Sequence, residues 1–208
     1  MKHKVKLNIV AMLMIAVLGC GPKVMVPPRI DLTQHEMVGI IEFKCANEGE
    51  LGPYATKKFI EEIRRDQGMV RIVDLGNEAE VLKEIGYKKM DQEAYKAIGE
   101  KFEVSTIFSG ELVVSDVRPD ITITPWLGYM SFAAEVDAKL DAQMVETSSG
   151  ASIWSNSSDA TQRVSHVSIF GGEFFSFDAE DPDESYGKLI ISLVEKASED
   201  FRVSWRRE

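Results

Sequence analysis

Apolar and polar residues alternate most strictly between Ala134 and Met144. Ala134, Val136, Ala138, Leu140, Ala142 and Met144 take every second position, and Glu135, Asp137, Lys139, Asp141 and Gln143 fill the others. Period two sends the two sets to opposite faces of a strand, one buried and one wet, as in an antiparallel sheet. Thr147-Ser148-Ser149-Gly150 then reads as a turn, with Gly150 free to take positive φ, and Ala151–Ser155 begins the returning strand. Met37–Phe43 (MVGIIEF) and Met69–Leu75 (MVRIVDL) are nearly continuous apolar runs, the pattern of strands covered on both faces. Val104–Val114 is a further strand.

Helical spacing separates these strands. Ala55, Phe59 and Ile63 fall four apart within Tyr54–Arg65, Pro53 suits the first turn, and Gly68 stops the run. Asn77 with Glu80 three residues on forms a capping-box pattern before Val81, Leu82 and Ile85, and Gly86 closes that helix. A third helix is expected from Gln92 to about Lys101, capped by Asp91. Asp181-Pro182-Asp183-Glu184 reads as cap, first turn and third-position acid of a last helix, with Tyr186, Leu189, Ile190, Leu193, Val194, Ala197 and Phe201 on one side. The order βαβααβββα predicts an α+β domain: a mixed sheet of about five strands with helices packed on it. No repeat or low-complexity segment interrupts it.

The N-terminus follows a different rule. Lys2, Lys4 and Lys6 form a basic head, Leu7–Leu18 is apolar apart from Asn8, and Val17-Leu18-Gly19-Cys20 follows. Twelve apolar residues suit a signal-peptide core, since a spanning helix needs about 20. The ending resembles the lipobox of bacterial lipoproteins. Residues 1–19 are therefore expected to be removed and Cys20 to carry diacylglycerol and an amide-linked acyl chain such as palmitate. Each buried methylene contributes about 0.8 kcal/mol to anchoring. Gly21, where lipoproteins retained at the inner membrane resemble one another in carrying Asp, points to the outer membrane with the domain facing the periplasm. Residues 20–36, with Pro22, Pro27 and Pro28, read as a tether, and residues 37–208 as the domain.

Composition sharpens this picture. Loss of the three leader lysines moves the formal charge of the 208-residue chain from -10 to -13, a poor balance for nucleic acid or anionic headgroups. Of the two cysteines Cys20 is committed to lipid, so Cys45 has no partner within the chain for a disulfide.

Met37–Phe43, Met69–Leu75, Glu80-Val81-Leu82-Lys83-Glu84, Lys101–Leu112 (KFEVSTIFSGEL) and Ala142–Ser155 (AQMVETSSGASIWS) resemble the CsgG-like lipoproteins, with Gly110 and a Thr147-x-x-Gly150-x-x-x-Trp154 hairpin as the sharper marks. That family includes the curli-secretion channel, and its fold is similar to the penicillin-binding-protein activator LpoB and the N-terminal domain of TolB. The resemblance covers about residues 36–202. It implies an adaptor or a pore subunit rather than an enzyme.

The residues themselves offer no catalytic constellation. His3 lies in the leader and His35 in the tether, leaving His166 alone in the domain, so no multi-histidine metal site is expected. No nucleophile elbow, P-loop or dinucleotide fingerprint occurs, and His166 between Ser165 and Ser168 lacks an oxyanion motif. The acids Asp178, Glu180, Asp181, Asp183 and Glu184 lack calcium-loop spacing, and helix capping explains three of them. Asn156-Ser157-Ser158 is a sequon by pattern alone. No cofactor and no small-molecule substrate is inferred.

Two connections are longer than hairpins require. Val113–Met130 holds Pro119, Pro125, Trp126, Leu127 and Tyr129, and Thr161–Ala179 holds Ile169, Phe170, Phe174, Phe175 and Phe177 around Gly171-Gly172. Large rings in connections are candidates for an interaction surface, with a satellite core as the competing reading. A non-catalytic binding or assembly module for an envelope partner is the first expectation. The alternative is an outer-membrane pore subunit of the curli type. A barrel leg needs about 9–11 alternating residues, and Pro119 and Pro125 are expected to break the first hairpin.

Overall fold

The computed structural model describes residues 22–46, 50–115, 118–124, 129–164 and 186–207. Among these, nine strands run in chain order: β1 Lys23–Val26, β2 Val38–Ile40, β3 Lys44–Cys45, β4 Ile72–Asp74, β5 Thr106–Val114, β6 Arg118–Thr124, β7 Tyr129–Glu146, β8 Ser152–Val164 and β9 Ser204–Arg207. Four helices accompany them: α1 Leu51–Arg64, α2 Glu78–Ile85, α3 Gln92–Phe102 and α4 Gly187–Ala197.

The fold is α+β, as the periodicity predicts. Its main sheet has seven strands, ordered β4-β2-β5-β7-β6, with β3 also on β5 and β8 also on β7. β3 runs on along β5 after β2, and β6 runs on along β7 after β5, so the sheet is five positions wide. The β4, β2 and β5 strands are parallel, while β7 pairs antiparallel with β5, β6 and β8.

The capping signals act as their chemistry dictates. Asn77 Oδ1 accepts from the Glu80 amide at 2.9 Å, and Asp91 Oδ1 from the Ala94 amide at 3.1 Å. Gly86 closes α2 at φ 77°, and Gly150 turns the β7–β8 hairpin at φ 67°.

Helices α1 and α4 cover one face of the sheet. Phe43, Phe108, Leu112, Val136, Leu140, Met144 and Trp154 meet Phe59 and Ile63 of α1 and Leu189, Ile190, Leu193 and Val194 of α4. Phe59 stands edge-on to Phe43 (5.1 Å between centroids) and Phe108 (5.4 Å), and Trp154 edge-on to Phe201 (4.7 Å). The Trp154 indole donates to Asp200 Oδ2 at 3.1 Å, so its one polar atom is satisfied at the core's edge. On the other face a smaller cluster, Ile41, Val81, Ile98, Val104 and Ile107, seats α2 and α3.

Residues 23–36 do not run free as the expected tether. Leu32 is fully buried, and Gln67 holds the segment in place. Its Oε1 accepts from the Leu32 amide (2.7 Å), and its Nε2 donates to the carbonyls of Ile30 (2.7 Å) and Phe201 (2.8 Å). A buried amide with three partners ties both chain ends to one point. Beyond it β1 pairs antiparallel with β9. The prolines suggested an extended chain, and the segment is extended. Its attachment depends on a residue 35 positions away from Leu32, which local pattern does not reveal.

The first connection also differs from expectation. Pro119 does not break the hairpin. It lies in β6 opposite Ala134, and β6 has β7 as its partner on one side. Among the described residues β6 is an edge strand, where proline is tolerated because no ladder bond is owed on its outer side.

Candidate functional site: a long strand and an open sheet face

Strand β7 is 18 residues long, about 60 Å at ~3.4 Å per residue. Only part of it is backed by α4. Asn156 donates to the carbonyls of Ala197 (3.0 Å) and Lys196 (3.4 Å), Ser158 to Leu193 (2.9 Å), and the Lys196 ammonium to Asp159 (2.7 Å). Sheet side chains thereby satisfy the last carbonyls of the helix. These residues face Ala142, Leu140 and Lys139 across the ladder. From Lys139 the strand runs on to Tyr129, about 34 Å further.

The apolar series continues along that arm. Met130, Phe132 and Ala134 hold the same period-two phase as Val136 to Met144. The register sets Ile123 opposite Met130, Ile121 opposite Phe132 and Pro119 opposite Ala134. The intervening pairs are Thr124 with Tyr129, Thr122 with Ser131, Asp120 with Ala133 and Arg118 with Glu135. Apolar positions of the two strands are thus matched to each other, as are most polar ones.

The opposite face, beside α2 and α3, is open over β5, β7 and β8. A trough of about 750 Å³ lies there, floored by Ser109, Glu111, Asp141, Gln143, Ser155 and Ser157 and walled by Tyr95 and the Lys44–Glu78 pair (2.8 Å). Gln143 Nε2 donates to Ser109 Oγ at 3.2 Å, and Lys139 Nζ to Asp141 Oδ2 at 2.7 Å. The Lys139 hydrogen bond, with a second from Ser157, holds the Asp141 carboxyl below the usual range. Burial pushes the Tyr95 phenol up, partly offset by its bond with Ser109, so it is a neutral group at the wall. Behind the trough, on the α1 and α4 face, Gly110 leaves room for Phe43: a Cβ there would sit 2.6 Å from the Asp141 carbonyl and 3.0 Å from the Phe43 ring. Among the described residues no three metal-ligating side chains converge. The trough therefore offers hydrogen bonds and mixed charge beside the apolar surface of Met90, Ala142 and Tyr95.

The predicted site residues fall unevenly. Tyr129 is the first residue of β7. Trp126 and Leu127 stand between β6 and β7, outside the described residues, as do Ile169, Phe170, Phe174, Phe175 and Phe177, and likewise Cys20, His166 and the acidic run 178–184. The chain leaves β8 at Val164, opposite Ala134, so both aromatic stretches join the sheet at the arm end of β7. Sequence reasoning missed the trough. Its signal was present in the odd-numbered polar positions of β7, but that α3 would wall them depended on the packing of Ile98 and Ile107.

No known family profile matches the chain, and no curated protein matches it. Solved structures are similar to it. The PelC dodecamer from Paraburkholderia phytofirmans has 14% identity and a TM-score of 0.44, covering 88% of this chain and 97% of that one. Lipoprotein GNA1162 from Neisseria meningitidis has 9% identity and a TM-score of 0.39, over 64% and 87%. The LpoB C-terminal domain from Salmonella enterica has 10% identity and a TM-score of 0.39, over 66% and 86%.

Proposed function

We propose that this chain is a lipid-anchored envelope protein whose domain is a non-catalytic binding or assembly module, docking through the arm end of β7. One observation carries the reading: the apolar series buried under α4 continues past Val136, in register with β6, for about 20 Å from Glu135 to Tyr129. Matched apolar positions on an extended ladder favour a cover, and the aromatic stretches 125–130 and 169–177 adjoin the same end. Trp126, Leu127, Tyr129, Ile169, Phe170, Phe174, Phe175 and Phe177 are the proposed contacts. Large rings supply much contact area at small entropic cost. The leader and Cys20 support a lipid anchor, and Gly21 supports the outer membrane.

A second reading, a pore subunit of the curli-channel type, gains from the absence of the break expected at Pro119, although β6 pairs with β7 over seven residues, fewer than the roughly 9–11 of a spanning leg. The oligomeric state of the lipidated protein in detergent separates the two readings. A single chain, or a chain bound to another envelope protein, supports the module; a large homomeric ring supports the pore. In the same preparation Cys20→Ser releases the protein into the soluble envelope fraction. Retention of the Cys20→Ser protein on the membrane after a high-salt wash contradicts the anchor.

A further inference from the structure

We propose that the β1–β9 ribbon is a second membrane contact, lying on anionic phospholipid headgroups beside the lipid anchor. This rests on lipidation of Cys20. Lys23 follows Cys20 by three residues, so the ribbon begins within about 10 Å of the attachment point even if the chain is fully extended. Its composition runs against that of the acidic chain. Lys23, Arg206 and Arg207 lie in eight residues of ribbon with no acid, and among the described residues none of the three forms an ion pair.

The register makes the cations costly in isolation. Lys23 stands directly opposite Arg207, and like charges at opposed positions repel. An anionic surface relieves that repulsion. Opposed residues share a face, so Lys23, Arg207, Met25 and Trp205 point the same way. Trp205 is 63% exposed and Met25 54%. Tryptophan flanked by cations is the composition of a headgroup-level surface, where an indole lies between apolar and wet zones. A two-stranded ribbon is also marginal by itself in water, so a surface beneath it stabilises the pairing.

The test uses the mature chain with Cys20→Ser, so that lipid plays no part, titrated with vesicles of zwitterionic lipid alone or with about one third anionic lipid. The expected result is binding to the anionic vesicles only, weakening steeply with salt. Lys23→Gln and Arg207→Gln, on the face of Trp205, each weaken it about five-fold, and Arg206→Gln, on the other face, weakens it less. Brominated anionic lipid quenches tryptophan emission, and Trp205→Phe removes that component. Thermal unfolding of each variant confirms that the fold is kept. Equal binding to both vesicle types, or no binding, overturns the proposal. So does self-association that the same substitutions abolish, which makes the ribbon a protein interface. The mass of wild-type protein extracted from membranes reports lipidation separately. An unmodified Cys20 breaks the anchor reading while vesicle binding still speaks for the ribbon, and a lipidated Cys20 without vesicle binding breaks the ribbon alone.

Discussion

The two halves of β7 carry the same pattern and have different neighbours. From Val136 to Met144 the even-numbered residues are sealed under α4 and the aromatic cluster of Phe59, Phe108, Trp154 and Phe201. From Met130 to Ala134 the same phase continues on a ladder shared with β6, beyond the residues that fasten α4. Alternation therefore reports that one face of a strand seeks cover. It does not report whether the cover comes from the chain's own helix or from outside.

Substitutions in the two halves test that contrast. The largest effect is expected in the backed half, where Leu140 and its α4 counterpart Ile190 are fully buried. Leu140→Ala or Ile190→Ala loses about 2–5 kcal/mol in chemical denaturation, because the cavity is closed in from both sides. Asp141→Ala, one residue along and on the trough side, costs less than about 1 kcal/mol. Equal losses at 140 and 141 break the assignment of faces. Gly110→Val comes next, at about 1–3 kcal/mol of overpacking, since its Cβ meets the Asp141 backbone rather than a yielding side chain.

In the arm half the expected order reverses. Phe132→Ala, Trp126→Ala and Phe174→Ala change thermal stability by less than about 0.5 kcal/mol and abolish assembly or partner capture. A loss of about 3 kcal/mol or more with assembly intact makes these rings satellite core. The smallest effect concerns Asp141. Its folded-state pKa lies below the unfolded value, so the associated stability is present above about pH 4 and lost as the pH falls through the folded pKa. Lys139→Met removes the largest cause. It should move the Asp141 titration, followed by carboxyl NMR, toward the ordinary value and flatten the acid limb of the stability curve. An unmoved titration contradicts the role of Lys139.

Much of the backed half was legible in the sequence for a physical reason. Period-two burial, Asn77 and Asp91 caps and the Gly86 and Gly150 turns are local, and local chemistry suffices to place them. The missing parts depend on distant partners. Gln67 fastens Leu32 and Phe201 from separate regions of the chain. Pro119 reads as a breaker until β6 is known to be an edge strand. The β1–β9 ribbon joins the two ends of the domain, and no window of sequence contains both strands. The candidate site divides the same way. Its aromatic residues announced themselves by composition, whereas the trough arises only once Tyr95 of α3 is set beside Ser109 of β5.

The central claim is that β7's arm end is the surface by which this protein docks. Photo-cross-linking in intact cells tests it most directly, with the reactive residue placed singly at Ile123 of β6 and at Trp126 and Phe174 of the two proposed contact stretches, and at Lys188 and Glu195 on the exposed back of α4. Adducts from the three arm positions, to a partner or to a second copy, with none from Lys188 or Glu195, are the expected result. Adducts confined to the α4 positions, with the arm silent, contradict it.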